Sequence, residues 1–240
     1  MFIVVYICVP FTLLIIRFKG GISSFYMSRS FVSDLIFSYS SAMVGALLTT
    51  IVAYYFVYLY LKYSDLRKSL LLMAIVLMSL PGTVVGLMVN VSYQWIDQLL
   101  GIQLYQTMIP MVHVLMIRFM TISFILLWFG MSQLDRDHLD LARMHSTSSL
   151  EILYIILWPL TKTYLVISVL VVMMFSLGEL AGAIMVTPPG KSTLAITIYN
   201  YLHYGSGEVV ALLIGCMIVS FLIILSILGL VLYPNKKETR

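Results

Sequence analysis

The stretch IPMVHVLMIRFMTISFILLWF, residues Ile109–Phe129, decides the fold of this 240-residue chain. Arg118 is its single formally charged residue. An α-helix of about 20 apolar residues, rising ~1.5 Å per residue, crosses the ~30 Å hydrocarbon core of a bilayer. Because lipid offers no partner to an unpaired backbone group, such a run must be helical. The stretch therefore predicts a transmembrane helix.

Five further apolar runs extend this prediction to six spans. The composition agrees, because 61% of the residues are hydrophobic and 10% are charged, against about 45–50% and about 25% in soluble domains. A soluble globule of this size could not bury so much apolar surface, and long unbroken runs argue against a membrane barrel. We predict an all-α polytopic membrane protein, one transmembrane domain over residues 1–240 with its core at 40–232. The predicted spans are Phe2–Ile16, Ser41–Leu61, Leu70–Val89, Ile109–Phe129, Leu160–Leu180 and Val209–Leu232.

The positions of Lys and Arg indicate the orientation. With the N-terminus in the cytoplasm, nine of these residues fall on inner segments and four on outer segments. Cytoplasmic loops are enriched in Lys and Arg, so we expect both termini in the cytoplasm, although the basic residues after the first span oppose this choice. The net charge of +4 then reflects loop charge rather than nucleic-acid binding. The segments between spans that have a character of their own are Arg17–Tyr39, a polar linker, Lys62–Ser69, Ser132–Pro159 and Thr187–Gly207.

The cytoplasmic segment at 132–159 has the pattern of two helices joined by a turn. Gln133–His145 places its apolar and histidine side chains on one helical stripe. A Ser/Thr run then disfavours continuation of the helix, and Ser148 with Glu151 forms an S-x-x-E capping box that starts a second helix. Pro159 suits the first turn of the next span. The segment is either an amphipathic interfacial linker or a docking element for a cytoplasmic partner.

This segment resembles the EAA loop of ABC-importer permeases. The family pattern is E-A-A, three residues, G, nine residues and then I-x-L-P. Asp140, Leu141 and Ala142 stand at the E-A-A positions. Ser146 stands at the glycine position and Pro159 at the proline position. The chain departs from the pattern in four letters, Asp for Glu, Leu for Ala, Ser for Gly and Trp158 for Leu, while the spacing is retained.

Two further segments resemble the iron(III)-type branch of these permeases. Leu80–Gly86 is similar to its L-P-G-x-V segment, and Ser176–Leu180, read S-L-G-E-L, is similar to the end of the same branch. The resemblance covers roughly residues 40–232. It implies the type I ABC importer permease fold, with one six-span half where many relatives fuse two.

The resemblance also implies a function. The chain would form the substrate pathway of an importer in a bacterial inner (plasma) membrane and couple to a separate ATPase subunit. The other implied partners are a second permease half, identical or a sister chain, and a periplasmic or lipid-anchored solute-binding protein. The implied substrate is iron(III) or a related small solute. The positions implied to couple to the ATPase or to form the turn are Asp140, Leu141, Ala142, Ser146, Ser149 and Pro159.

The chain carries no G-x-x-x-x-G-K-[ST] motif, so we expect it to bind no ATP in the P-loop manner. We predict no enzymatic activity, no catalytic residue, no metal and no cofactor in this chain. The alternative function is an ion-coupled secondary transporter. Such a protein would usually carry internal repeats and several intramembrane acids, whereas only Glu179 offers itself here.

Polar groups inside the predicted spans are the remaining candidates for function. Arg118 and Glu179 would be costly in lipid, so they either line the pathway or its gate or form a buried ion pair. The Pro81–Gly82 pair breaks the third span, where it either lines a cavity or kinks the helix for packing. Thr187–Gly207 is either an outer loop that contacts the binding protein or a surface hairpin.

Overall fold

The computed structural model describes residues 29–133, 157–204 and 207–232, together with Thr12. These ranges hold eight α-helices and a short 3-10 turn at Leu104–Gln106. The helices are α1 (Arg29–Lys62), α2 (Arg67–Ser79), α3 (Gly82–Leu100), α4 (Ile109–Ser132), α5 (Trp158–Leu177), α6 (Ala183–Val186), α7 (Leu194–Tyr204) and α8 (Gly207–Leu232).

The described helices provide up to five membrane spans. Four are long and apolar enough to cross a bilayer, namely α1 from Val32 onward, α4, α5 and α8 from Glu208 onward. Helices α2 and α3 meet at 100° and count together as one broken span. The predicted first span, Phe2–Ile16, lies outside the described residues except for Thr12.

The predicted span Leu70–Val89 is not one straight helix. Helix α2 ends at Ser79 and α3 begins at Gly82, directly after Pro81. Proline has no N–H to donate and disfavours helical geometry in the residue before it, so the helix cannot run through this point unchanged. The expected break is present, and the 100° bend sends its two halves in different directions.

Three predicted boundaries were wrong. The polar linker Arg17–Tyr39 is helical from Arg29 onward, and its polar side chains Asp34 and Ser38 accept the backbone N–H groups of Ser192 and Leu194. The loop expected at Thr187–Gly207 contains α7. The fifth span ends at Leu177 rather than Leu180, so Glu179 lies beyond the helix.

The centre of the fold is the packed bundle of α1, α4 and α5. Three fully buried hydroxyl groups tie these helices together. Ser168 Oγ lies 2.7 Å from Ser123 Oγ and 3.1 Å from Thr50 Oγ1. Nearer the end of α1, Tyr54 Oη lies 3.1 Å from Thr161 Oγ1. Side-chain hydrogen bonds of this kind join helices in an apolar medium at ~0.6 kcal/mol each.

The segment 134–156 connects two helix ends that are packed against each other. Met131 near the end of α4 and Leu157 before α5 belong to one buried cluster with Tyr58 of α1. Gly130 lies directly against Tyr164, since a Cβ at Gly130 would come within 2.3 Å of the ring. We call this end of the bundle the linker end. Helix α7 and the first turns of α1 and α8 pack together at the opposite, far end.

Candidate functional site

The break between α2 and α3 leaves a backbone carbonyl without its helical donor. In an unbroken helix the Val84 N–H would donate to the Leu80 carbonyl, but here it donates to Pro81 O at 3.0 Å. The Leu80 carbonyl accepts a hydrogen bond from Arg118 Nη1 at 3.1 Å instead. The guanidinium therefore caps the negative end of α2, where a cation is favourable.

The same guanidinium is paired with a buried carboxylate. Arg118 Nε lies 3.4 Å from Glu179 Oε2. The other carboxylate oxygen, Oε1, accepts the Gly182 N–H at 2.8 Å. Glu179 is 6% exposed and Arg118 is 25% exposed. A carboxylate at that depth requires such partners, because an isolated buried charge is very costly.

Three glycines let the backbones approach closely around this pair. A Cβ at Gly82 would lie 2.9 Å from Glu179 Oε1, and a Cβ at Gly86 would lie 2.7 Å from Gly182 O. A Cβ at Gly182 would lie 2.6 Å from Val114 Cγ1. No larger residue fits at these positions without displacing a neighbour. Small residues four apart on a helix are typical of close packing inside membranes.

One turn further along α3, Asn90 continues this face. Its Nδ2 group donates to the Met185 carbonyl in α6 and lies 3.4 Å from Tyr105 Oη. Asn90 was not among the functional residues predicted from the sequence. The signal that could have found it is the spacing of Gly82, Gly86 and Asn90, which places all three on one side of a helix.

Each of three polar side chains thus satisfies a backbone group that regular structure leaves open. Arg118 binds the Leu80 carbonyl, Glu179 the Gly182 N–H and Asn90 the Met185 carbonyl. Arg118 lies nine residues into α4, roughly 14 Å from its start. Irregular backbone at that depth in a membrane occurs where protein buries it or where it lines a water-filled cavity.

The structure therefore brings Pro81, Gly82, Arg118 and Glu179 into one site. Of the predicted coupling positions, Pro159 lies in the first turn of α5. The rest of that set, Asp140, Leu141, Ala142, Ser146 and Ser149, lies outside the described residues.

In the part of the chain that the structure describes, no three His, Cys, Asp or Glu side chains form a group able to hold a metal ion.

Comparisons with known proteins agree with this architecture. A solved structure described as inward-facing conformations of the MetNI methionine ABC transporter is similar, with a TM-score of 0.62 and 12% sequence identity. The likeness covers 85% of this chain and 99% of that chain, and it shows the type I ABC importer permease fold. No curated protein matches the chain significantly. Residues 57–238 match the family described as binding-protein-dependent transport system inner membrane component. Because that match covers most of the chain, the chain belongs to this family of membrane transport subunits.

Proposed function

We propose that this chain forms half of the substrate pathway of an ABC importer, with the α2–α3 break in the wall of the pathway. The observation that carries the proposal is the broken span itself, whose open carbonyl at Leu80 is held at membrane depth by Arg118, the partner of the buried Glu179. Transport proteins place discontinuous helices at their substrate sites for this reason. Secondary transporters also use such breaks, but membership of a binding-protein-dependent family favours the importer.

Coupling to a separate ATPase subunit is proposed at residues 132–159. The two helices that flank this segment carry the two halves of the ion pair toward their other ends. Arg118 lies fourteen residues above the end of α4, roughly 20 Å away, and Glu179 follows directly after α5. A push on the segment would therefore move both charges together relative to the broken span. We propose that Arg118 and Glu179 form the gate of the substrate pathway and that this movement operates it.

The orientation is supported by where the basic residues fall in the fold. The contacts between α1, α4 and α5 bring the C-terminal end of α1 and the start of α2 to the linker end. Four described basic residues lie at the linker end and two at the far end. Cytoplasmic ends of membrane proteins carry such an excess of Lys and Arg. We therefore propose that the linker end and the C-terminus face the cytoplasm. The linker-end residues are Lys62, Arg67, Lys68 and Lys162, and the far-end residues are Arg29 and Lys191.

A solute-binding protein would dock at the far end. The second half of α7 is exposed and carries large side chains without charge, including Tyr201 at 38%, Leu202 at 64% and Tyr204 at 89% exposure. Aromatic residues of this kind contribute strongly to protein interfaces. The position of α7 at the end opposite the linker supports docking of the binding protein on this helix.

A second permease half, identical or a sister chain, would complete the pathway. Helix α3 buries its glycine face against residues 179–186 and leaves an apolar stripe on its other side exposed. We propose that this stripe faces the second half. Its members, each between 42% and 63% exposed, are Val84, Leu87, Met88, Val91 and Trp95.

The substrate proposed from the sequence is iron(III) or a related small solute. The structural neighbour is described as a methionine transporter, and at 12% identity that likeness concerns the fold. Identifying the ligand of the binding protein that co-purifies with this chain tests the proposal directly. A methionine-type amino acid in that protein would contradict the iron(III) assignment and leave the importer assignment in place.

The coupling proposal is tested by adding a charge where the ATPase would approach. Ala142→Arg and Ser146→Arg should insert normally but abolish uptake and the stimulation of ATP hydrolysis by the loaded binding protein. Ser64→Arg is the matched control, because Ser64 is an exposed hydroxyl residue in another loop of the linker end. Normal uptake in both motif variants, with the ATPase still bound, would contradict the docking role.

A further inference from the structure

The two charges at the α2–α3 break are not equally accessible. Glu179 is almost fully buried, and its Oε1 is enclosed by the Gly182 N–H and by the backbone at Gly82. The Arg118 side chain keeps a quarter of its surface exposed. The pair is neutral as a whole, yet the cation is the more exposed of its two members.

The guanidinium also keeps donors to spare. An arginine has five N–H donors in a planar fork, and its hydrogen bonds within the described structure engage Nε with Glu179 and Nη1 with the Leu80 carbonyl. Thr83, the next residue after Gly82, is exposed, and a Cβ at Gly82 would lie 3.3 Å from Arg118 Nε. Arginine is well suited to carboxylate and other oxyanion groups.

No other described acid competes for this position. Asp97, the acid of α3, accepts the backbone N–H groups of Leu104 and Tyr105 at 2.9 Å each, near the far end. Asp34 of α1 accepts the Ser192 N–H, also at the far end. The charged groups at the break are therefore Arg118 and Glu179, of which Arg118 is the more exposed.

We infer that the pathway takes solutes that carry a negatively charged oxygen group, such as a carboxylate, an oxyanion or an anionic metal chelate, and disfavours bare cations. This inference rests on the proposed position of the break in the pathway wall. It refines the substrate proposal, because iron(III) would then have to pass this point as an anionic chelate rather than as a free ion.

The test measures the sign of the local potential with a pair of thiol reagents. Thr83→Cys is introduced in a background of Cys8→Ser and Cys216→Ser, and the protein in proteoliposomes is treated with anionic sulfonatoethyl or cationic trimethylammonium-ethyl methanethiosulfonate. Each rate is divided by the rate of the same reagent with a free thiol in solution. We expect the normalised rate of the anionic reagent to exceed that of the cationic one roughly tenfold, and the ratio to fall as salt rises.

Charge variants then assign the preference to Arg118. Arg118→Gln combined with Glu179→Gln removes both charges and should bring the ratio close to one. Arg118→Lys keeps the cation and should keep the preference, which covers the case in which the double variant does not fold. Leu222→Cys, on a highly exposed position of α8, is the control for a lipid-facing thiol and should react with neither reagent.

The outcomes separate this inference from the function on which it rests. Equal normalised rates, or a faster cationic reagent, would overturn the anion preference while leaving the break open to water. If Thr83→Cys reacts with neither reagent in the membrane but with both after denaturation, the break does not face water. The proposed pathway position then fails together with the inference.

Discussion

Gly86→Ala should loosen the contact between α3 and residues 179–186 more than its single added methyl group suggests. The new Cβ would lie 2.7 Å from Gly182 O, 2.9 Å from Met185 Cβ and 3.0 Å from Gly182 Cα. Two of these three atoms are backbone atoms, and they belong to a segment held by Glu179 through the Gly182 N–H. A flexible side chain could turn away, whereas this backbone has to move as a unit.

The expected magnitude follows from three contributions. Overpacking of a filled contact costs about 1–3 kcal/mol. Separating the two segments also weakens the hydrogen bond from Asn90 to the Met185 carbonyl, worth ~0.6 kcal/mol in a membrane. Against these, alanine gains up to ~1 kcal/mol over glycine in helix propensity. We therefore expect Gly86→Ala to lower the free energy of unfolding by about 0.6–2.6 kcal/mol.

Thermal unfolding in detergent, followed by a thiol-reactive dye or by intrinsic fluorescence, measures this change. For a chain of this size, 1 kcal/mol corresponds to about 2–4 °C in the midpoint. Gly229→Ala is the matched control, because a Cβ at Gly229 in α8 would meet nothing within 4 Å. If the two alanine variants unfold at the same temperature, the backbone contact at Gly86 does not exist as described.

Two further predictions concern the linker end and the ion pair. Gly130→Ala would place its Cβ within 2.3 Å of the Tyr164 ring, so we expect the free energy of unfolding to fall by about 1–3 kcal/mol. The loss should be smaller when Tyr164→Leu is also present. If the two substitutions act independently and additively in a double-mutant cycle, the contact is refuted. Arg118→Gln leaves the carboxylate of Glu179 without its cation and should lower the free energy of unfolding by about 2–4 kcal/mol. This loss is smaller than the loss on breaking a fully buried pair, because Arg118 is partly exposed. Adding Glu179→Gln should restore most of that stability in the same unfolding assay, and a double variant as unstable as Arg118→Gln would argue against direct pairing.

Much of the helical framework could be predicted from the sequence, because long apolar runs and a proline are strong local signals. The runs around Ile109–Phe129 and Val209–Leu232 appear as α4 and α8 with small shifts at their ends. The break at Pro81 was expected for the same reason, since proline acts on the backbone next to it. The family resemblance carried by spacing within a polar segment agrees with the family match.

Features that depend on distant contacts could not be predicted. The polar side chain of Asp34 finds its partner in the N–H group of Ser192, 158 positions away, so the sequence near Asp34 does not show this contact. The spacing with Gly82 and Gly86 could place Asn90 on their face of a helix, but its partner, the Met185 carbonyl, lies 95 positions along the chain and gives no local signal. The sequence placed Glu179 inside a span, whereas its carboxylate binds the Gly182 N–H after the helix has ended.

The distribution of polar contacts indicates which part of the structure we expect to move during transport. Moving α1, α4 and α5 against one another would break the buried contacts among Thr50, Ser123 and Ser168 in surroundings that offer no replacement partner. At the joint between α2 and α3, the freed carbonyl of Leu80 is not bonded within its own segment. It is held by the Arg118 side chain of α4. A displacement of α4 that starts at the linker end must therefore shift this cap before it can shear the bundle. We expect the transport motion to be a change in the bend at the break, with the bundle of α1, α4 and α5 moving as one body.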